Sequence, residues 1–150
     1  MIKPGQRISI AHHEAFPRGA FVTGVQQATE YGSGPQKRPV KDPETGAFIF
    51  VFTCLDGDES LRRREFTVKV AAPFQPELPP EVAPGLGIRA VEFSGLTVTP
   101  YIEESRGREG TRARLAYSYR ATGVHAPGKA PAAPVPARSV PAGPNEGKAA

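Results

Sequence analysis

The side chains of this chain that could do chemistry are mostly cations, and their spacing speaks of binding rather than catalysis. Lys37, Arg38 and Lys41 fall in one Gly/Pro-rich connection, and Lys69 alternates with valines. Arg106, Arg108, Arg112, Arg114 and Arg120 crowd the stretch after residue 105. Cations carried on strands and loops suit a polyanion, because each can neutralise one phosphate. Tyr101, just past Pro100, adds a flat ring on which a nucleobase could stack. The competing reading is a solvated surface balanced by Asp and Glu. Three of the 19 lysines and arginines and one of the 15 acids lie beyond residue 125, so the remainder carries only +2. Arg62, Arg63 and Arg64 fit that second reading, with Asp56, Asp58, Glu59 and Glu65 beside them.

Other chemistries find little support. His12 and His13 are adjacent and on a strand would point to opposite faces, while His125 stands far away in sequence. With Cys54 expected in the core, no ligand set has zinc spacing. Asp56, Asp58 and Glu59 lack the calcium-loop spacing and read as a hairpin turn. No nucleophile elbow, phosphate loop or dinucleotide fingerprint occurs. The expectation is therefore no catalytic residue, no metal and no cofactor.

The elements that must carry these residues are strands. Residues 87–101 form the central stretch, rich in β-branched residues and expected to stop at Pro100. Val91 and Phe93 lie on one parity before Gly95, and Leu96 and Val98 on the other after it, so a bulge or sharp bend at the glycine would return both halves to one core. Residues 20–29 make a first strand with its own interior glycine. Residues 47–55 are apolar on both faces, which marks a central strand with Phe48, Phe50, Phe52 and Cys54 inward. Residues 64–71 alternate cleanly, with Phe66, Val68 and Val70 inward.

Connections are equally legible. Residues 42–46, Asp-Pro-Glu-Thr-Gly, form a turn with proline presetting φ and glycine free to take a left-handed conformation. Prolines at 73, 76, 79, 80 and 84 exclude a helix there, and Phe74 is expected to staple that segment to the core. Residues 103–110 read as a charged loop, followed by a last strand over 111–121 with Leu115, Tyr117 and Tyr119 inward. Before residue 19, Ile8 and Ile10 allow a short edge strand and residues 11–16 one helical turn. From Ala126 the chain holds six prolines and no aromatic residue, a composition expected to stay disordered.

Five short antiparallel strands predict an all-β fold, a small five-stranded OB-fold-like barrel with a disordered Pro/Ala-rich C-terminal tail. A small sandwich or an SH3-like barrel fits the same pattern. The expected organisation is an N-terminal arm (1–19), the barrel (20–124) and the tail (125–150). The chain has 150 residues, 39% hydrophobic and 23% charged, with net charge +4. No run approaches the roughly 20 apolar residues that cross a bilayer, no signal-peptide core is present, and one cysteine fits a reducing cytoplasm.

Four segments carry a resemblance: residues 41–46 (Lys-Asp-Pro-Glu-Thr-Gly), 66–70 (Phe-Thr-Val-Lys-Val), 92–101 (Glu-Phe-Ser-Gly-Leu-Thr-Val-Thr-Pro-Tyr) and 119–124 (Tyr-Arg-Ala-Thr-Gly-Val). In this order they resemble small regulatory proteins of actinobacterial plasmids and integrative conjugative elements, described as plasmid replication, integration and excision activators. Pro43 and Tyr101 depart from that family, which often has arginine and tryptophan there. The resemblance implies DNA-linked regulation without catalysis. The resulting expectation is single-stranded DNA bound between the long loops by Lys37, Arg38, Lys41, Lys69, Tyr101, Arg106, Arg108, Arg112, Arg114 and Arg120. Replication or recombination proteins of the host element are the further partners. The alternative is an adaptor that recruits such a protein without touching DNA.

Overall fold

The computed structural model describes residues 1–3, 5–30 and 37–129. It contains β1 (Ile8–Ser9), α1 (His12–Ala15), β2 (Ala20–Gln27), β3 (Phe48–Asp56), β4 (Glu65–Ala72), β5 (Arg89–Ser94), β6 (Thr97–Gly107), β7 (Gly110–Ala121) and β8 (Gly123–His125). All eight strands belong to one sheet in the order β1-β6-β7-β4-β3-β2-β5-β8. The fold is all-β, but eight strands replace the five expected. The central stretch divides at Gly95 into β5 and β6, the last divides at Thr122 into β7 and β8, and Ile8–Ser9 adds an edge. The order ends on β1 and β8, which do not pair with each other. The expected disordered tail, from residue 130 on, lies outside the described residues. Before it, β8 continues the ordered chain past residue 124, and the Gly128 N–H donates to Glu92 Oε1 at 3.0 Å.

Two bent segments meet at Gly95 and Thr122. Gly95 has φ +59°, and a Cβ there would lie 2.3 Å from Thr122 Oγ1. The Thr122 N–H and hydroxyl both donate to the Ser94 carbonyl, at 2.9 and 3.1 Å. Around this corner the buried parity changes as expected, from Val91 and Phe93 to Leu96. The mechanism is a break between two strands at a left-handed glycine. The interior glycine of β2 behaves differently. A ladder bulge falls between Val22 and Gly24, yet a Cβ on Gly24 would meet nothing within 4 Å.

The core follows from alternation along the strands. Phe50, Phe52 and Cys54 of β3 pair across from Val70, Val68 and Phe66 of β4, and all but Phe66 are buried. Val22, Val91, Phe93 and Leu96 complete the interior. The N-terminal segment is part of this body rather than an arm. Ile8 and Ser9 pair with Val98 and Thr97, and Phe16 is buried, its ring stacked 4.5 Å from that of Phe66 and tilted 5.3 Å from that of Tyr119. Burying one such phenylalanine contributes about 1.5–3 kcal/mol. The proline segment has no helix, as its five prolines require, but Leu78 packs on the core where Phe74 was expected. Phe74 is 81% exposed.

Pro100 does not end its strand. β6 runs through it to Gly107, paired with β7 from Thr97↔Arg120 to Gly107↔Gly110. The residues read as a charged loop are thus strand, joined by a two-residue turn at Arg108 and Glu109. Proline is tolerated because β6 is an edge there: β1 covers only Val98 and Thr97. On the other side β4 pairs with β7 only at Tyr119, Arg120 and Ala121. Residues from about 99 to 118 therefore stand clear of the sheet as a two-stranded ribbon.

The corner generates a stability prediction. Gly95→Val should cost roughly 1–3 kcal/mol through its left-handed backbone, apart from the collision with Thr122. Gly24→Ala should leave the melting midpoint nearly unchanged. Equal effects of the two substitutions on thermal melting would refute the role given to the corner.

Candidate nucleic-acid interface

Ladder register decides which side chains share a face. Gln26, Val51, Lys69, Arg120 and Thr97 are direct cross-strand neighbours and form one row across β2, β3, β4, β7 and β6. Alternation then places Thr67, Ser118, Thr99, Tyr101, Arg114 and Arg112 on that same face. Five of the expected site residues, Lys69, Tyr101, Arg112, Arg114 and Arg120, thereby share a face: Lys69 and Arg120 are direct neighbours, while Tyr101, Arg114 and Arg112 lie progressively farther out along the ribbon. Tyr101 lies within β6 opposite Ala116, not beyond a strand end, and is 45% exposed.

Charge pairing divides these residues. Asp42 is buried, and Arg120 Nη2 reaches its Oδ1 at 3.3 Å. The Thr45 hydroxyl donates to Asp42 Oδ2 at 2.8 Å. That hydrogen bond, and then the Arg120 charge, hold the Asp42 carboxyl below the usual carboxylate range. Arg120 thus fastens the turn at residues 42–46 to β7, a structural task that removes it from the surface. Arg114 is paired with Glu103, its direct cross-strand neighbour. Arg112 is paired with Glu109 at 3.0 Å. Phosphate contact by these arginines would have to compete with a carboxylate.

The other cations differ. Lys69 is exposed and in no ion pair among the described residues. Lys41 bridges to Phe48, with Nζ 5.6 Å from the centre of its ring. Lys37 and Arg38 are exposed at the start of the same segment, where the Arg38 carbonyl accepts the Glu30 N–H. Arg106 lies opposite Thr111, on the other face of the ribbon from Arg112 and Arg114, and Arg108 sits in the turn.

That other face holds what the sequence reading placed inside. Pro100 faces Tyr117 and Ile102 faces Leu115, yet Ile102 is 62%, Leu115 57% and Tyr117 50% exposed. Their parity matches that of Tyr119, which does pack on Phe66. The strands leave the sheet before the pattern ends, so alternation continues with no core beneath it. Thr97–Gly107 and Gly110–Ala121 exceed the common strand length of about 5–6 residues, the one signal that pointed to a projecting ribbon.

Elsewhere the titratable groups serve the fold. Burial pushes the Cys54 thiol up to about 12, leaving it without thiolate character. Among the described residues no three His, Cys, Asp or Glu side chains are grouped to hold a metal ion, and no helix is long and apolar enough to cross a membrane. A depression of about 400 Å³ is lined by Ser9, Ile10, His12, Phe93 and Leu96, none of them an expected site residue. His12 Nδ1 there accepts the Phe93 N–H at 3.1 Å. Burial lowers the His12 pKa, Glu92 opposes the shift, and His125 and His13 add to it.

A lowered folded-state pKa makes protonation favour the unfolded chain. The stabilisation from neutral His12 is therefore complete above its ordinary value near 6.5 and is lost as pH falls through the lower folded value. Thermal melting should show a midpoint that drops on going from neutral pH into this range. His12→Asn, whose Oδ1 can accept the Phe93 N–H without titrating, should show a shallower drop. Identical pH profiles for the two proteins would contradict the assignment.

Compared with known proteins, the chain matches no family model, no curated protein and no solved structure.

Proposed function

We propose that this chain is a non-enzymatic accessory protein of plasmid or mobile-element replication, integration or excision that binds single-stranded DNA. The observation that carries the reading is the single face shared by Lys69 and Tyr101, a cation in no ion pair among the described residues and an exposed aromatic ring, amid Thr67, Thr99 and Ser118. Such a face supplies phosphate attraction, sugar–phosphate hydrogen bonding and base stacking together. Lys41 stands apart from it, since its bridge to Phe48 puts it on the opposite face of the sheet.

The pairing order supports an OB-like barrel beneath that face. Taking β5 with β6, and β7 with β8, as two bent strands leaves five strands of barrel size beside the short β1. Their neighbours then run first, second, third, fifth, fourth and back to the first, through β2 pairing with both β3 and β5. The third and fifth run parallel. In barrels of this kind the second and third strands supply the oligonucleotide-binding face, and here Lys69 lies on the third. The element context rests on the four segments of residues 41–46, 66–70, 92–101 and 119–124, which converge: Asp42 holds Arg120, Val70 pairs with Ala121, and Ser94 with Gly123.

The adaptor reading keeps one observation of its own, the exposed apolar strip of Ile102, Leu115 and Tyr117. It would bind a protein, not a polyanion.

Titration of the full chain with single-stranded oligonucleotides at several salt concentrations tests the reading. Lys69 should contribute about −0.7 to the slope of log affinity against log salt. Lys69→Ala should flatten the slope by about 0.7. Tyr101→Ala should cost about 1–3 kcal/mol with the slope nearly unchanged. Arg120→Ala should act through folding stability instead, since its charge is bound to Asp42. A folded protein that binds no single strand at low salt would leave the adaptor reading in its place.

A further inference from the structure

The ion pair in the middle of the ribbon is asymmetric. Glu103 and Arg114 are direct cross-strand neighbours, and both Nε and Nη2 of the guanidinium reach the same carboxylate oxygen, Oε2. Glu103 Oε1 has no partner among the described residues. The arginine therefore holds the carboxylate in place by one oxygen and leaves the other able to accept. Glu103 lies two residues beyond Tyr101 on the same strand and face, about 7 Å along β6. Opposite Tyr101 stands Ala116, whose single methyl leaves that flank of the ring open. A base stacked on Tyr101 thus has its edge beside Glu103 Oε1. Glu104 points to the other face, opposite Ala113.

We propose that Glu103 selects the base stacked on Tyr101, favouring one that carries an amino group over thymine. The inference rests on the reading of this face as a single-strand site. An ionised carboxylate accepts hydrogen bonds and cannot donate them. Cytosine bears its N4 amino donor where thymine bears the O4 acceptor, so the same oxygen meets a partner in one case and repulsion in the other. Adenine offers its N6 amino group in the same way. The hydroxyls of Thr99 and Ser118, on the same face, rotate to donate or accept and discriminate neither. Phosphate attraction alone gives no reason for a carboxylate on this face, because it opposes the cations around it. Base selection does, and Arg114 then acts as the residue that positions Glu103.

Titration of the full chain with oligodeoxycytidine and oligodeoxythymidine of equal length, in low salt and above neutral pH, tests this. The wild type should bind the cytidine strand about tenfold more tightly, as expected for one hydrogen bond to a charged group. Glu103→Gln should bring the ratio close to one, because the uncharged amide can either donate or accept. It should also bind the thymidine strand more tightly than the wild type does, having lost a negative charge. Its thermal melting should stay near that of the wild type, since the pair is exposed. Glu104→Gln, which removes the same charge from the other face, should keep the wild-type ratio. Equal binding of the two strands by the wild type overturns the proposal and leaves the single-strand reading standing. So does a preference that survives Glu103→Gln, or one that Glu104→Gln abolishes as well. Binding of neither strand removes both.

Discussion

The contact between Gly95 and Thr122 is the constraint on which the rest of this fold depends. A left-handed residue with no room for a Cβ lets the chain turn from β5 into β6, while Thr122 lets the neighbouring segment turn from β7 into β8 alongside it. Both bends face the same carbonyl, that of Ser94. On one side of the corner, Phe93 and Val91 enter the core beside Phe52. On the other, Leu96 does so before the strands run out into the ribbon. Arg120 stands two residues from the corner, so its bond to Asp42 ties the turn at residues 42–46 to the same place.

That arrangement also sorts the basic residues by use. A net charge of +4 does not amount to a binding surface when the arginines of β7 are paired with carboxylates. Exposed pairs such as Arg114–Glu103 add little stability, at most about 1 kcal/mol. They do lower the free charge that the ribbon offers to a polyanion. Arg120 is a different case, because its carboxylate is buried and further held by Thr45. Of the expected site cations, Lys37, Arg38, Lys69, Arg106 and Arg108 are exposed with no ion pair among the described residues, and Lys41 lies over the Phe48 ring.

Much of this was legible in the residues. Alternation at Phe50, Phe52, Cys54, Val68 and Val70 identified the core, because burial repeats with the period of the strand. The parity change across Gly95 identified the corner for the same reason. Alternation cannot say whether a core lies beneath it, so Leu115 and Tyr117 read as interior when they line a free ribbon. Pro100 misled in the opposite sense, since its cost vanishes on an edge strand and the edge is set by distant pairing with β1 and β4. Phe16 was missed because a single aromatic residue after one helical turn has no period. The candidate face was legible as residue types, but the partners of Arg114 and Arg120 depend on distant pairing, which no local pattern specifies.

Binding through the Lys69 and Tyr101 face is tested most directly by residue-level mapping. The ¹⁵N-labelled full chain would be titrated with a short oligodeoxythymidine and followed by amide chemical shifts. Direct binding predicts perturbations clustered at Thr67, Lys69, Thr99, Tyr101 and Ser118. Perturbations confined to Ile102, Leu115 and Tyr117, or none at all in low salt, would contradict it.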